Sequence, residues 1–267
     1  MLDKREIRIC IDRVIPFHLK LAAMDAAVAS NKLNHPHLSA LLPGKGKAPA
    51  LMPGASIHPA KIAFFTGKKW KPGQTLGVRF LDGSATQRAK TKQFATEWLS
   101  YARLKFDFTA GADAAIRVSF QADDGSWSAV GTDCLVSEYF KKNEPTMNFG
   151  WLRDGTDDEE WRRVVVHEFG HAIGAIHEHQ NPKGGIKWNL PAVYAYFSGP
   201  PNNWTKEEID FNVVQKYSAN QLNATKFDKQ SIMLYAFPPE LIIGGKGTPN
   251  NTDLSKGDKA FAAKMYH

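Results

Sequence analysis

Hydrophobic and polar residues alternate along residues 76–81, and this alternation predicts a β-strand, because successive side chains of a strand point to opposite faces of its sheet. Residues 104–108 and 115–120 have the composition of further strands. Between the first two of these stretches, residues 86–103 carry Phe94, Trp98 and Leu99 on one helical stripe. This spacing predicts a long amphipathic helix packed on the sheet.

A second long helix is predicted further along. Asp157 with Glu160 three residues later has the pattern of a helix N-cap with a capping box, and the apolar run Val164, Val165 and Val166 would bury that helix against the sheet. From residue 175 onwards we expect little regular structure until Ser255, which has the pattern of a cap for a final helix through residues 265–266.

The first 66 residues have a different character. Residues 16–30 have the alanine-rich composition of a short helix, whereas prolines and glycines interrupt residues 35–59 too often for regular structure. We therefore predict an N-terminal extension over residues 1–66, a pro-segment or a docking arm, followed by a folded domain over residues 67–267.

The composition is that of a soluble globular protein, with 43% hydrophobic and 23% charged residues. No stretch reaches the roughly 18 apolar residues of a transmembrane helix. The charged first ten residues lack the apolar core of a signal peptide, which predicts a cytoplasmic chain or one exported by a non-classical route. The oligomeric state is not predicted.

The formal net charge of +7 raises the question of a nucleic-acid partner. However, 26 of the 34 basic residues and all 27 acidic residues lie outside the stretch between Asp25 and Asp82, so the charges outside that stretch nearly cancel. The excess positive charge therefore belongs to one segment, which predicts no nucleic-acid partner. That segment would be a solvated arm, or would bind an acidic partner or a membrane surface.

The most informative residues lie in the second predicted helix. His167 and His171 are four residues apart, so a helix would place both imidazoles on one face, and neutral imidazole is a good zinc ligand. Glu168 follows the first histidine, where its carboxylate could reach a metal-bound water without being a ligand. Gly174 can adopt the positive φ that ends a helix and returns His177 to the same ion.

Three histidines leave an open position on zinc, which is the arrangement of a catalytic site. The pattern therefore predicts one catalytic zinc ion per chain, held by His167, His171 and His177, with Glu168 as general base and acid. The spacing selects His177, so His179 is not predicted to be a ligand.

The string H-E-x-x-H-x-x-G-x-x-H over residues 167–177 resembles the signature of the metzincin clan, and Glu178 directly after it resembles the astacin family. Residues 231–235, Ser-Ile-Met-Leu-Tyr, resemble the astacin Met-turn. The resemblance implies that Met233 lies beneath the metal, and that Tyr235 is a fifth ligand able to swing off and stabilise the transition state. Only two cysteines are present, which favours a bacterial or fungal-type branch.

This resemblance implies an α+β fold. We expect a twisted, mostly parallel sheet with an antiparallel edge strand and two long helices in residues 67–174, and an irregular C-terminal subdomain in residues 175–267. Residues 126–131 and 146–151 resemble two further astacin strands. The implied function is that of a zinc endopeptidase using a metal-activated water on protein or peptide substrates. An extended substrate is expected to pair with an edge strand around residues 132–136.

Other functions stay open at this point: a zinc-fold effector or binding module with little or no peptidase activity, a zinc hydrolase of non-peptide substrates, and a latent zymogen. Astacin pro-segments use an aspartate in F-x-G-D, but here Lys68 follows Phe65-Thr66-Gly67, so that switch is absent in its usual form. Cys10 is a candidate thiolate ligand for latency instead.

Overall fold

The computed structural model describes residues 10–13, 15–34, 67–200, 202–216 and 226–267. Its six strands are β1 (Ile11–Asp12), β2 (Thr75–Phe80), β3 (Lys105–Asp107), β4 (Ile116–Ser119), β5 (Ser126–Ser128) and β6 (Met147–Phe149). Its α-helices are α1 (Lys20–Ser30), α2 (Ala85–Ala95), α3 (Asp158–Ala172), α4 (Leu190–Phe197), α5 (Lys206–Ile209) and α6 (Lys256–Met265).

The strands form one sheet in the order β1-β5-β6-β4-β2-β3. Strands β2, β3, β4 and β6 pair in parallel, and β5 is antiparallel to β6. The prediction of an α+β fold with a mostly parallel sheet is confirmed, and the antiparallel strand predicted for its edge is present as β5, one strand in from the edge. The outer edge of β5 is covered, because β1 from the extension pairs with it in parallel.

Helices α2 and α3 pack together against the sheet, and two tryptophans fix their positions. The indole nitrogen of Trp98 donates to the carbonyl of Val166 at 2.8 Å, and that of Trp70 donates to the carbonyl of Ala172 at 2.8 Å. Val164, Val165 and Val166 are fully buried, as predicted for the apolar face of α3. The helix is therefore held by two indole hydrogen bonds as well as by its buried valines.

The first long helix ends earlier than predicted. It stops at Ala95 and tightens into a 3₁₀ turn over Thr96–Ser100, and Arg103 instead donates its backbone N–H to the carbonyl of Tyr266. The capping box predicted for α3 is only half formed. Asp157 accepts from the backbone N–H of Glu160, but the Glu160 carboxylate pairs with Arg163 and Trp151.

Two predictions for the loops are wrong. Residues 132–136 do not form an edge strand, because Thr132 donates its backbone N–H to the carbonyl of Lys68 and the chain winds into a 3₁₀ turn over Gly131–Leu135. The C-terminal part is also less irregular than expected, since it contains α4, which buries Val193 and Phe197 four residues apart on one face. A proline in the first turn of α4 starts the helix instead of breaking it.

The described part of the extension packs on the rest of the chain. Helix α1 lies against the 3₁₀ turn Gly131–Leu135. The buried amides of Asn31 and Asn34 donate to the backbone carbonyls of Trp70 at 3.0 Å and Lys69 at 2.8 Å. The boundary at residue 66 stays a prediction, because residues 35–66 lie outside the described residues. None of the helices in the described ranges has both the length and the apolar character that crossing a bilayer requires.

Lys20 of α1 generates a prediction about this packing. Burial, and secondly the charge of Lys68, lower the pKa of Lys20 from 10.5 to about 8, while Asp133 acts in the opposite direction. Between these pH values the unfolded chain holds the additional proton, so the free energy of unfolding should rise with pH across that window, and the cost of burying the charged Lys20 is fully present below about pH 8.

We expect Lys20→Met to reduce this rise in stability, measured as the thermal unfolding midpoint from pH 7.5 to 10. Lys32→Met on the exposed surface is the control and should retain the full rise; a Lys20→Met profile that coincides with the parent would contradict this account.

Candidate metal centre

Helix α3 carries the first two candidate ligands on its inner face. His167 and His171 are one turn apart and only 2% and 1% exposed. The helix ends one residue after His171, and Gly174 adopts a φ of +96°, a conformation that other residues rarely take. Its N–H donates to the carbonyl of His171 at 2.7 Å, and the chain then returns to bring His177 beside the helix. The turn predicted at Gly174 is therefore present.

The three imidazoles converge on one point. Their Nε2 atoms are 3.1 Å apart for His167 and His171, 3.0 Å for His171 and His177, and 3.3 Å for His167 and His177. These are the only three histidines in the described part of the chain that lie together in this way. The structure therefore brings together the ligand set that the spacing predicted.

The protonation of two rings follows from their partners. Nδ1 of His167 lies 2.8 Å from the carbonyl oxygen of Ile232, and Nδ1 of His171 lies 3.0 Å from that of Ala175. A carbonyl oxygen only accepts, so each Nδ1 carries a proton, and in the neutral form of the ring Nε2 keeps its lone pair. Burial, followed by the neighbouring His171 and His177, holds the pKa of His167 well below its usual range. His167 is therefore neutral at neutral pH.

Lone pairs that meet at about 3 Å in a buried space repel one another unless a cation lies between them. Three neutral imidazole nitrogens are the ligand set of a catalytic zinc site, and the Nδ1–carbonyl hydrogen bonds supply the outer contacts that orient such ligands. His167, His171 and His177 thus fit a zinc ion.

Glu168 and Cys10 lie beside this triad. Glu168 is fully buried, and one ligand atom each of Cys10, His167 and Glu168 lie within 4.8 Å of one another. Cys10 is 2% exposed, and burial, followed by the charge of Glu168, raises the pKa of its thiol well above the usual value. The thiol that the sequence offered as a latency ligand is therefore next to the metal centre.

Met233 and Tyr235 lie close to the histidines, as the Met-turn resemblance predicted. Met233 is buried under α3 against Gly170, and its carbonyl accepts from the backbone N–H of Glu178 at 2.9 Å. The Tyr235 ring lies 4.3 Å from the His177 ring, between centroids. Its hydroxyl contacts Nε2 of His177 and donates a hydrogen bond to the backbone carbonyl of Cys10.

Comparisons with known proteins agree with this geometry. No family model matches the chain. Two solved structures of myroilysin are 43% identical to it over 74% of the chain. The chain covers 95% of the first with a TM-score of 0.72, and 86% of the second with a TM-score of 0.59. The chain belongs to the astacin family. The resemblance drawn from its motifs is thereby confirmed.

Curated relatives are similar over part of their length. Bone morphogenetic protein 1 of Xenopus laevis is 31% identical over 114 residues, which is 39% of this chain and 15% of that protein. Tolloid-like protein 1 of Mus musculus is 26% identical over 236 residues, 83% of this chain and 21% of that protein. The chain thus spans about a fifth or less of the length of these two astacin-family relatives.

Asp258 supports the astacin site in a way that sequence reasoning missed. Its carboxylate accepts from the Ser231 hydroxyl at 2.7 Å, from the Ile232 N–H at 2.8 Å and from the Ser255 N–H at 2.9 Å. It therefore joins the start of α6 to the turn whose Ile232 carbonyl orients His167. The Ser255–Asp258 capping pattern was a readable signal, but only the fold reveals its second contact.

Glu178 and His179 also support the third ligand. Burial raises the pKa of Glu178, and its carboxylate accepts from the Asn181 side chain and the Asp228 N–H, both at 2.9 Å. His179 is 1% exposed, stacks on the His177 ring at 5.2 Å between centroids, and contacts the Asn212 carbonyl at 2.9 Å. Within the described residues it is not a member of the three-histidine group.

Gly170 yields a test of the packing under the site. In most helices Gly→Ala is stabilising by about 1 kcal/mol. Here an added Cβ would lie 2.5 Å from Sδ of Met233 and 3.0 Å from the Trp98 ring, so Gly170→Ala should lower the free energy of unfolding by about 1–3 kcal/mol. Urea denaturation measures this, and Gly155→Ala, where a Cβ meets nothing within 4 Å, is the control. A stabilised Gly170→Ala variant would show that Met233 is not packed against this turn of α3.

Proposed function

We propose that the chain is a zinc-dependent endopeptidase that hydrolyses peptide bonds of protein or peptide substrates. The observation that carries this proposal is the convergence of three imidazole Nε2 atoms on one buried point beside the Glu168 carboxylate. Membership of the astacin family supports it. A zinc ion in this position would supply Lewis-acid chemistry, polarising a carbonyl oxygen and lowering the pKa of water toward about 7.

Glu168 is the proton carrier in this proposal. It is adjacent to His167 in sequence, buried, and not a member of the three-histidine ligand set. A carboxylate in this position can accept a proton from the attacking water as the new C–O bond forms, and then pass that proton to the amide nitrogen, so that the C–N bond breaks and a neutral amine leaves. Burial keeps bulk water from competing for that proton.

Tyr235 is proposed to stabilise the negative charge that develops on the substrate oxygen. Its hydroxyl already donates to a peptide carbonyl next to the metal centre, namely that of Cys10. A substrate carbonyl in the same place would receive the same hydrogen bond, which strengthens as the oxygen becomes an oxyanion. Met233 has a supporting role, because it fills the space beneath the ligand-bearing turn of α3.

The first test removes the proton carrier. The experiment uses the Cys10→Ser chain, in which no thiol lies beside the metal centre. In that chain we expect Glu168→Gln to reduce casein and peptide hydrolysis by about a hundredfold or more. The zinc content should stay near one per chain. Glu159→Gln on the exposed side of α3 is the matched control and should retain activity. Chelation should abolish the activity of the Cys10→Ser chain.

Three results would oppose the proposal in different ways. Undiminished cleavage by Glu168→Gln would contradict the proton-transfer role. One zinc per chain with no cleavage of any peptide would favour a binding module instead. Hydrolysis confined to non-peptide esters or amides would favour a different zinc hydrolase.

We further propose that the extension keeps this site latent through Cys10. Its thiol lies beside His167 and Glu168, its carbonyl accepts from Tyr235, and the strand that follows it covers the edge of β5. A substrate and residues 10–12 would therefore compete for the same groups. Thiolate is a strong zinc ligand, so Cys10 would fill the coordination position that catalysis needs to be open.

This latency predicts that Cys10→Ser raises the peptidase activity of the full chain at neutral pH, by about tenfold or more, because a hydroxyl binds zinc far less strongly than a thiolate. Initial rates on a quenched fluorescent peptide provide the measurement. Cys134→Ser is the control, since Cys134 is also buried but lies in the 3₁₀ turn Gly131–Leu135, and it should leave the rate unchanged. Equal activity of parent and Cys10→Ser would rule out the role of Cys10.

A further inference from the structure

A cation from the extension sits in a small site on the edge of β5. Nη2 of Arg13 lies 2.5 Å from Oδ1 of Asp124, and Cζ of Arg13 lies 4.2 Å from the centroid of the Trp127 ring. The guanidinium is thus paired with a carboxylate on one side and stacked on an indole face on another. An aromatic face together with a carboxylate is a combination that binds lysine and arginine side chains.

The two groups that hold Arg13 are organised by contacts of their own. The Trp127 indole N–H donates to Oδ2 of Asp124 at 2.9 Å, which leaves Oδ1 as the oxygen that meets Arg13. Trp127 is 3% exposed and stacks on Phe140 at 6.5 Å between ring centroids. The site is therefore held in place by the core as well as by Arg13.

The pairing of β1 with β5 sets the position of the Asp124–Trp127 site relative to the metal centre. Ile11 pairs with Trp127 and Asp12 with Ser128, while Cys10, one residue before β1, lies at the metal centre. Arg13 follows Cys10 by three residues, which is about 10 Å along an extended chain. An extended peptide that reaches the metal and pairs with this edge would place a side chain of its own over Trp127.

We propose that Asp124 and Trp127 form a substrate subsite for an arginine or lysine side chain, about three residues from the peptide bond that reacts, and that Arg13 occupies it in cis. The proposal rests on the endopeptidase function and names the substrate class: peptides with a basic side chain at that distance from the cut. A glutamate or aspartate there would meet the Asp124 carboxylate and be disfavoured.

The solvent exposure of the Arg13–Asp124 pair indicates that this contact serves to discriminate between bound side chains and does little to stabilise the fold. Both side chains of the Arg13–Asp124 pair are 37% exposed, and ion pairs of that kind add little to the stability of a fold. In a subsite the same contact has a different effect, because it discriminates between substrates even where it adds little to the stability of the folded chain.

Binding measurements test the subsite without requiring catalysis. The full chain carrying Cys10→Ser, Arg13→Ala and Glu168→Gln leaves Asp124 and Trp127 without the Arg13 side chain, removes the thiol from the metal centre, and hydrolyses peptides too slowly to disturb a binding measurement. The probes are blocked, fluorescein-labelled heptapeptides of alanine and threonine with one arginine moved through each position, and the same set with glutamine. By fluorescence anisotropy we expect one position at which arginine binds about five- to thirtyfold more tightly than glutamine.

Two variants in that background assign the effect to Asp124. Asp124→Asn should reduce the advantage of arginine to about twofold or less, and Asp124→Lys should reverse it, so that the corresponding glutamate peptide binds best. Equal binding of arginine and glutamine peptides at every position, a preference that survives Asp124→Asn, or no binding at all would overturn the subsite and leave Arg13–Asp124 as a surface ion pair.

The outcome is separable from that of the proposed function. The same peptides are offered to the Cys10→Ser, Arg13→Ala chain with Glu168 intact. Arginine-selective binding without any cleavage would contradict the endopeptidase function alone. Cleavage that is indifferent to arginine would contradict the subsite alone.

Discussion

The rest of this structure depends on one constraint: the lone pairs of three imidazole nitrogens meet in a buried space. The Nε2 atoms of His167, His171 and His177 lie within 3.3 Å of one another, and two of the rings are fixed in orientation by backbone carbonyls. Imidazole rings whose Nε2 atoms lie this close together must be held in place by rigid contacts on several sides. The buried face of α3, the turn at Gly174 and the carboxylate of Asp258 at the start of α6 supply them. A metal cation then converts the repulsion into binding energy.

Residues of the extension occupy the same site within the chain. Its Cys10 thiol approaches the metal centre, its Cys10 carbonyl takes the Tyr235 hydrogen bond, and its Arg13 lies on Trp127 beside Asp124. These contacts use the three kinds of group that a bound peptide would use: a metal-directed atom, a peptide carbonyl and a side chain. We therefore regard residues 10–13 as a segment that occupies the site in the way a substrate would.

The sequence predicted the features that depend on local spacing, and missed those that depend on long-range contacts. The ligands and the turn at Gly174 follow from helical period and from the φ that glycine tolerates, so they could be read directly. The early end of α2 and the 3₁₀ turn at residues 131–135 arise from contacts with Tyr266 and Lys68, which propensity does not contain. Likewise, no spacing rule connects Cys10 with His167 or Asp258 with Ile232; only the fold brings them together.

Zinc-edge X-ray absorption on the full chain identifies the atoms that bind the metal while the extension is still in place. We expect one zinc per chain, with three imidazole nitrogens and one sulfur bound directly to it, and replacement of the sulfur by a light atom in Cys10→Ser. A spectrum with fewer than three imidazoles, or a chain that binds no zinc, would contradict the claim that these histidines form a metal centre. A three-imidazole spectrum without sulfur would retain the centre and reject Cys10 as its fourth ligand.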